Sequence, residues 1–523
     1  MPKERWTPVA RVEDLAEGVP VSVEIGEKKV LLVRLKDGIH ACSNKCTHYG
    51  APLDEGLLVG HEVTCPWHNA RFDVRTGGMT SPPALDGLGC YPVKVEDGQV
   101  YLGRVAKPEP ARAAAADNRT FVIIGAGAAG NAAAETLRKE GFAGVILLIT
   151  AEAHGPYDRP TLSKEFLAGK AKSELLPLRS PAFYERHGIE LITKRRVVAL
   201  DPAGHTISFA DGGTLAYDRA LCATGGVPRG LDVPGSDLDG LFMLRSMKEA
   251  DAIAKALADA ESVAIVGAGF MGLEAASSIK ERGLDVHVVA PEEVPMARIF
   301  GERVGRWLRQ VHEDKGTVFH LGTTAERFLG DGRVREVVLK DGSRLRADLV
   351  LLALGVRPAV DYLGDSDLVK DGAVPVDGTL KTAADDVFAA GDIAVVPDAR
   401  TGESYRVEHW IVAERQGLHA ARAMLGGKAV YEEVPFFWTR QCGMSLKYVG
   451  HAVACERIAF RGSVEEGDFL AGYYSEGRLR AVAAAGRAQE AIAAGECLRT
   501  GVNVSFEQFE DPGTDLLGLV HGE

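Results

Sequence analysis

Hydrophobic and polar positions alternate in short runs through residues 8 to 103, as in VPVSVEI, KKVLLVRL and VKVEDGQVYLG, with Gly, Asp and Pro between them. A two-residue period fits strands with one buried face, so this stretch predicts a small all-β domain. Residues 104 to 119, RVAKPEPARAAAADNR, carry Pro, Ala and charge without a core periodicity and read as a linker. From residue 120 the pattern changes. TFVIIGAGAAG predicts a buried strand, a Gly-rich turn and a helix running to about Glu140, with VILLIT as the next strand. The unit returns as SVAIVGAGFMG, a helix to about Arg282 and the strand VHVVA. A second echo links DGGTLAYDRALCATGG at 211–226 with DGSRLRADLVLLALG at 341–355, each a polar turn, a strand entering the core and a Gly-bearing loop. Past residue 431 short strands return before a closing Ala-rich helix.

These patterns predict a multidomain chain: an all-β domain over 1–105, a linker over 106–119, two α/β dinucleotide folds within 120–430, and a further domain of short strands and a helix over 431–523. The length of 523 residues suits three or four cores of ordinary size. With 46% hydrophobic and 25% charged residues the composition is that of a soluble globular protein. An excess of 73 acidic over 60 basic residues gives a net charge of -13, which argues against nucleic acid as a partner. No apolar run of ~20 residues predicts a membrane span, and MPKERWTPVARVEDL lacks the apolar stretch of a secretory signal, so a cytoplasmic protein is expected. Eight Cys are too few to staple such a chain, yet three fall within residues 42 to 65.

Two of these belong to paired loops. Cys46-Thr47-His48 is followed after sixteen residues by Cys65-Pro66-Trp67-His68, so each loop offers one thiolate and one imidazole. Structural zinc is the alternative, but its sites usually pair like ligands and place the His pair on a helix. With GAPL at 50–53 and CPWH-ARFD-RTG at 65–77, the order resembles the Rieske signature. The resemblance implies a 2Fe-2S cluster with Cys46 and Cys65 on one iron and His48 and His68 on the other. Tyr49-Gly50-Ala51 after His48 lacks the disulfide Cys of high-potential members, which implies the low-potential ferredoxin type. Asn69 stands where many relatives have Gly.

Gly125, Gly127 and Gly130 follow a strand and open a helix, and Gly267, Gly269 and Gly272 repeat the arrangement, as dinucleotide sites require. GPYDRPTLSKEFL at 155–167 and VFAAGDIA at 387–394 resemble the FAD segments of flavoprotein pyridine nucleotide reductases. That likeness puts FAD in the first fold and the nicotinamide dinucleotide in the second, Arg159 and Lys164 beside the flavin, and Asp392 on the ribityl chain. Glu152 and Glu292 are the candidates to grip a ribose; no Arg adjoins Glu292, which favours NADH and leaves NADPH open. Residues 91 to 221 hold no Cys, so a dithiol relay beside the flavin is not expected.

Nearly the whole chain resembles the Rieske-containing relatives of apoptosis-inducing factor, which implies a FAD fold over 120–245 and 366–430 with the NAD fold inserted at 246–365 and an α+β interface-like domain over 431–523; the reductase part also resembles the ferredoxin reductases of bacterial oxygenase systems. The resemblance implies an NAD(P)H-dependent oxidoreductase passing electrons from NADH through FAD and the cluster to an external acceptor such as an oxygenase or cytochrome. It also implies that Glu274 holds the nicotinamide carboxamide and pairs with Lys164. In RVEHWIVAERQG at 406–417 it points to Trp410 between flavin and cluster and to Gln416 near a helix start at the flavin pyrimidine edge. Trp438 is a second flavin-side aromatic, Phe270 lies over the flavin or in the core, and Arg440 of PFFWTRQ replaces an expected acidic residue. The alternative function is a redox sensor whose reduced flavin-nicotinamide complex controls partner binding. Homo-oligomerisation, and whether the cluster serves its own chain or a neighbour, stay open at this point.

Overall fold

The computed structural model describes residues 6–105, 117–364, 366–452 and 454–521. The predicted linker therefore falls largely on residues outside the described ones.

The N-terminal domain is built from three small antiparallel sheets. Val21–Ile25, Lys28–Leu35 and Gly38–Ser43 form one; Leu57–Val59, Glu62–Thr64, Arg71–Asp73 and Met79–Ser81 form the next; Thr7–Arg11 pairs with Gln99–Leu102 and Val93–Glu96 to close the third. The alternation in KKVLLVRL divides its apolar residues between two cores. Leu31 and Val33 pack with Val63 and Phe72 under the paired loops, whereas Val30 and Leu32 pack with Val100 and Leu102.

Each Gly-rich unit is the centre of a five-stranded parallel sheet. In the first, Thr120–Ile124 lies between Val145–Ile149 and Arg219–Cys222, with Ile189–Ile192 and Val387–Ala389 at the edges. In the second, Ser262–Val266 lies between Asp285–Ala290 and Leu349–Leu352, flanked by Thr317–Leu321 and Leu241–Met243. The late strand Val387–Ala389 completes the first sheet, so the second fold is an insertion within it. The sequence echo has a structural counterpart. Thr214–Ala216 and Arg344–Arg346 each end a three-stranded antiparallel sheet before the chain enters a parallel one, and the loops beyond meet where Gly226–Pro228 pairs with Val356–Pro358.

The C-terminal domain is a five-stranded antiparallel sheet in the order Phe436–Gln441, Met444–Gly450, Arg478–Ala485, Asp468–Ser475, Arg457–Ser463. The helix Ala488–Thr500 packs on it through Ile492, Ala494 and Cys497. No helix among the described residues is long and apolar enough to cross a membrane.

The helices Ala128–Lys139 and Trp410–Met424 cross in direct backbone contact beneath the first Gly-rich turn. A Cβ on Gly417 would lie 2.1 Å from the Ala129 carbonyl oxygen, so only glycine permits this approach. Gly417→Ala is expected to cost ~1–3 kcal/mol by overpacking and to lower the melting temperature together with flavin retention; an unchanged melting curve would contradict the packing described.

Candidate functional site

The two Cys-His loops share one backbone design. In each, the Cys amide donates to the Ala carbonyl five residues on (Cys46 to Ala51, 2.9 Å; Cys65 to Ala70, 2.8 Å), and the amide four residues on returns to the Cys carbonyl (Gly50, 2.9 Å; Asn69, 3.2 Å). The returning residue is left-handed in both loops, with φ 79° at Gly50 and 57° at Asn69. Asn tolerates this conformation better than other side chains, which is why the departure from Gly leaves the turn intact.

The loops gather their side chains in two pairs. The Cys46 and Cys65 thiols are buried beside each other, and the neighbouring thiol holds Cys65 below the usual thiol range. His48 and His68 turn their Nδ1 atoms to within 3.2 Å of each other. Burial lowers these imidazoles to about 4 and about 3, so both are neutral, the form that binds a metal. Among the described residues, no group of three or more donors converges as a mononuclear ion would require. Thiols on one side and imidazoles on the other fit a two-iron centre better than tetrahedral zinc.

A cavity of about 840 Å³ opens over the first Gly-rich turn. Gly125 takes φ 111°, and a Cβ there would strike the Ala223 carbonyl at 2.2 Å. A Cβ on Gly130 would strike the Gly125 carbonyl at 1.8 Å, whereas one on Gly127, which lines the cavity, would meet nothing within 4 Å. Turn, packing and open approach to a ligand are thus divided among the three glycines. Gly267, Gly272 and Gly269 divide the same roles in the second fold.

Glu152, Arg159, Lys164, Asp392 and Trp410 all line this cavity. Arg159 donates to Glu152 at 2.9 Å, and Arg245 pairs with Asp392 at 3.0 Å. The Glu274 carboxylate accepts from Lys164 Nζ at 2.7 Å, as the resemblance implied, and also from Ser163 Oγ at 2.6 Å and Thr439 Oγ1 at 2.7 Å. Phe270 both lines the cavity and packs against Phe300 and Phe437. His409, also at the wall, has a buried Nδ1 with no partner among the described residues, an orphan that a bound polar group would satisfy. Glu292 stands exposed beyond the strand Asp285–Ala290 and away from this cavity.

Cavity and paired loops meet at one hairpin. Trp438 lines the cavity, and its ring centroid lies 4.4 Å from that of His68. Lys447 is directly opposite Trp438 across the antiparallel pair, and its ammonium donates to the Pro66 carbonyl. Burial draws this ammonium down to about 8 against the pull of the Cys65 thiolate. Further contacts seat the N-terminal domain: Tyr49 on Asp158, Arg71 on Glu433, Asp86 on Arg179 at 2.8 Å, and the Asn69 carbonyl on Arg415 at 3.2 Å.

Three family models account for most of the chain: a Rieske 2Fe-2S domain over residues 5–92, pyridine nucleotide-disulphide oxidoreductase over 119–417, and reductase C-terminal over 436–520. The chain belongs to the pyridine nucleotide-disulphide oxidoreductase family, with a Rieske domain fused in front. Human apoptosis-inducing factor 3 is 37% identical over 94% of this chain and 84% of its own length. The biphenyl dioxygenase system ferredoxin–NAD(+) reductase component of Paraburkholderia xenovorans is 35% identical over 77% of this chain and 98% of its own. Among solved structures, a ferredoxin reductase from Rhodopseudomonas palustris superposes with a TM-score of 0.74 at 34% identity, over 76% of this chain and 99% of that one. The protein is accordingly a flavoprotein oxidoreductase that uses FAD, NAD(H) and a Rieske 2Fe-2S cluster.

Trp438 meets the cluster loop at His68, and Trp410 opens the helix Trp410–Met424 at the cavity wall and packs on the core cluster that takes in Leu57. Gln416 lies in the second turn of that helix, buried, where its Oε1 accepts from the Gly391 amide at 2.7 Å and fixes the turn that carries Asp392. Arg440 is exposed and faces Glu165 at 3.6 Å. Sequence reasoning missed Ser163, Thr439 and Arg415, although each lies inside a segment singled out above, and Lys447, which lies in none.

Because the left-handed turn at residue 69 shapes the second ligand loop, Asn69→Gly is expected to leave iron content intact. Asn69→Val, which pays roughly 1–2 kcal/mol for the same conformation, is expected to lower iron and acid-labile sulfide per chain. Equal iron in the two variants would show that the turn does not shape the loop.

Proposed function

We propose that this chain is a self-contained electron-transfer unit, a reductase and its ferredoxin in one polypeptide, in which electrons from NADH leave through a cluster seated on the same chain. The observation that carries this reading is the contact of His68 with Trp438, because it joins the wall of the dinucleotide cavity to a predicted cluster ligand. When bound, FAD takes two electrons as hydride and gives them up singly, which matches a nicotinamide donor to a one-electron cluster.

The chain's own residues have distinct tasks. The first Gly-rich turn and its helix N-terminus hold the FAD pyrophosphate, Glu152 the ribose and Asp392 the ribityl chain. Gly267, Gly269 and Gly272 do the same for the coenzyme pyrophosphate, with Glu292 toward its ribose. Glu274, fixed by Lys164, Ser163 and Thr439, orients the nicotinamide carboxamide with little reorganisation. Cys46, Cys65, His48 and His68 ligate the cluster, Trp438 fills the gap that water would otherwise occupy, and Trp410 packs the flavin side.

The acceptor we favour is an oxygenase or a cytochrome. Support comes from relatives that serve dioxygenase systems and from a solved covalent complex of putidaredoxin reductase with putidaredoxin, 29% identical to this chain with a TM-score of 0.74 over 77% of it and 99% of that chain. The net charge of -13 suits a basic partner surface. Thiolate ligands suit a reducing compartment such as the cytoplasm. A built-in exit for electrons favours turnover over the sensor reading.

In anaerobic stopped-flow with NADH, Glu274→Ala is expected to slow bleaching of the flavin. Trp438→Ala is expected to leave that phase unchanged and to slow cluster reduction severalfold, with Trp410→Ala having the smaller effect on the second phase. Cluster reduction at the normal rate in Trp438→Ala would refute the proposed route.

A further inference from the structure

Among the described residues, the buried Arg415 and Arg461 have carboxylates beside them, Glu433 and Glu490, as do the half-buried Lys164, Arg159 and Arg71 with Glu274, Glu152 and Glu433. Lys447 does not. It is 7% exposed, and none of the ion pairs among the described residues includes it. Its hydrogen bond to the Pro66 carbonyl satisfies one of three ammonium protons, and the charged group whose field it meets is Cys65. A buried cation without a carboxylate partner is costly, and replacing it with an apolar residue of similar volume is often stabilising. Its position beside the ligand loop supplies a use for that cost.

We infer that Lys447 is the fixed counter-charge for the electron on the seated cluster. The inference rests on the ligand set proposed above. Two thiolates and two neutral imidazoles around a 2Fe-2S core leave it uncharged when oxidised and singly anionic after it takes one electron, with no bond made or broken. A nearby ammonium stabilises the second state and raises the cluster's midpoint potential. Lys447 belongs to the reductase's C-terminal sheet and not to the Rieske domain. Its effect therefore exists only while the domain is seated: docking makes the cluster a better acceptor, and release makes it a stronger donor to the external partner. Lys447 acts as a positioning residue, through Pro66 and through its field, and its replacement leaves hydride transfer from NADH untouched.

The test is an EPR-monitored redox titration of the full-length holoprotein, with iron and acid-labile sulfide measured on the same samples. In Lys447→Met the equilibrium between reduced and oxidised cluster is expected to move about tenfold toward oxidised, ~59 mV for a one-electron couple, while Lys447→Arg stays near the wild-type value. An unchanged potential in Lys447→Met overturns the inference, as does an equal fall in Met and Arg, which would assign the effect to loop geometry and not to charge. If Lys447→Met fails to hold iron, Lys447→Gln decides: it keeps an uncharged donor for Pro66, so a lowered potential supports the inference and a wild-type potential overturns it. Failure of the underlying ligand assignment is distinguishable, because the wild-type protein itself would then lack iron and sulfide.

Discussion

One hairpin grips one loop, and the joining of the Rieske domain's ligand loop to the dinucleotide cavity depends on that grip. Trp438 and Lys447 face each other across the strands Phe436–Gln441 and Met444–Gly450, one meeting the His68 ring and the other the Pro66 carbonyl. Cross-strand partners share a face of the sheet, so the pair reaches the segment Cys65–His68 as a unit. The same hairpin closes the cavity above the first Gly-rich turn, through Phe437 and Trp438, and supplies Thr439 to Glu274. A two-electron site and a one-electron site can be coupled only if their prosthetic groups are held close with little water between them. Here a single element of the C-terminal domain touches both.

The seat of the Rieske domain is largely polar. Asp86–Arg179, Arg71–Glu433 and Tyr49–Asp158 lie around it, with the Asn69 and Glu55 carbonyls accepting from Arg415 and Gln489. Leu57 is the buried apolar residue that the domain contributes to the C-terminal core. Asp86 is exposed, and pairs at exposed sites are worth ~0–1 kcal/mol each and weaken in salt, whereas the Arg71 and Arg179 side chains are largely enclosed, so the seat is loosest at its rim, like other polar interfaces between domains. Arg415 and Glu433 set a limit to that looseness. They are enclosed beside the Rieske domain, and breaking a buried pair by removing one partner costs more than an exposed pair ever contributes. A seat specific in register yet modest in strength suits a domain that takes electrons on one side and passes them on elsewhere.

Much of this was legible in the sequence because the chemistry is local. The Cys-His pairs, the glycine triplets and the segments around Arg159 and Asp392 are contiguous motifs, and each lies where its spacing predicted. The Lys164–Glu274 pair was also foreseen, although 110 residues separate its members, because both lie in recognisable segments. What escaped was the joining of surfaces. Lys447 alternates in a strand like any polar residue, and its burial depends on a loop 381 residues away. Trp410 and Trp438 both lie in flavin-side segments, and only the pairing of their elements against the Rieske loops reveals which of them touches His68. The partner of Gln416 also escaped: the helix begins at Trp410, which turns Gln416 inward to the Gly391 amide. Asn69 in place of Gly leaves the turn unchanged because the side chain that replaces hydrogen is the one most at ease with a left-handed backbone.

The central claim is that electrons cross from cavity to cluster within one chain. The rate of cluster reduction after anaerobic mixing with saturating NADH, followed across a wide range of protein concentration, tests it most directly. A first-order rate constant that does not change on dilution is the predicted result. A rate that rises in proportion to protein concentration would mean that the cluster is reduced in collisions between molecules, and would contradict the account.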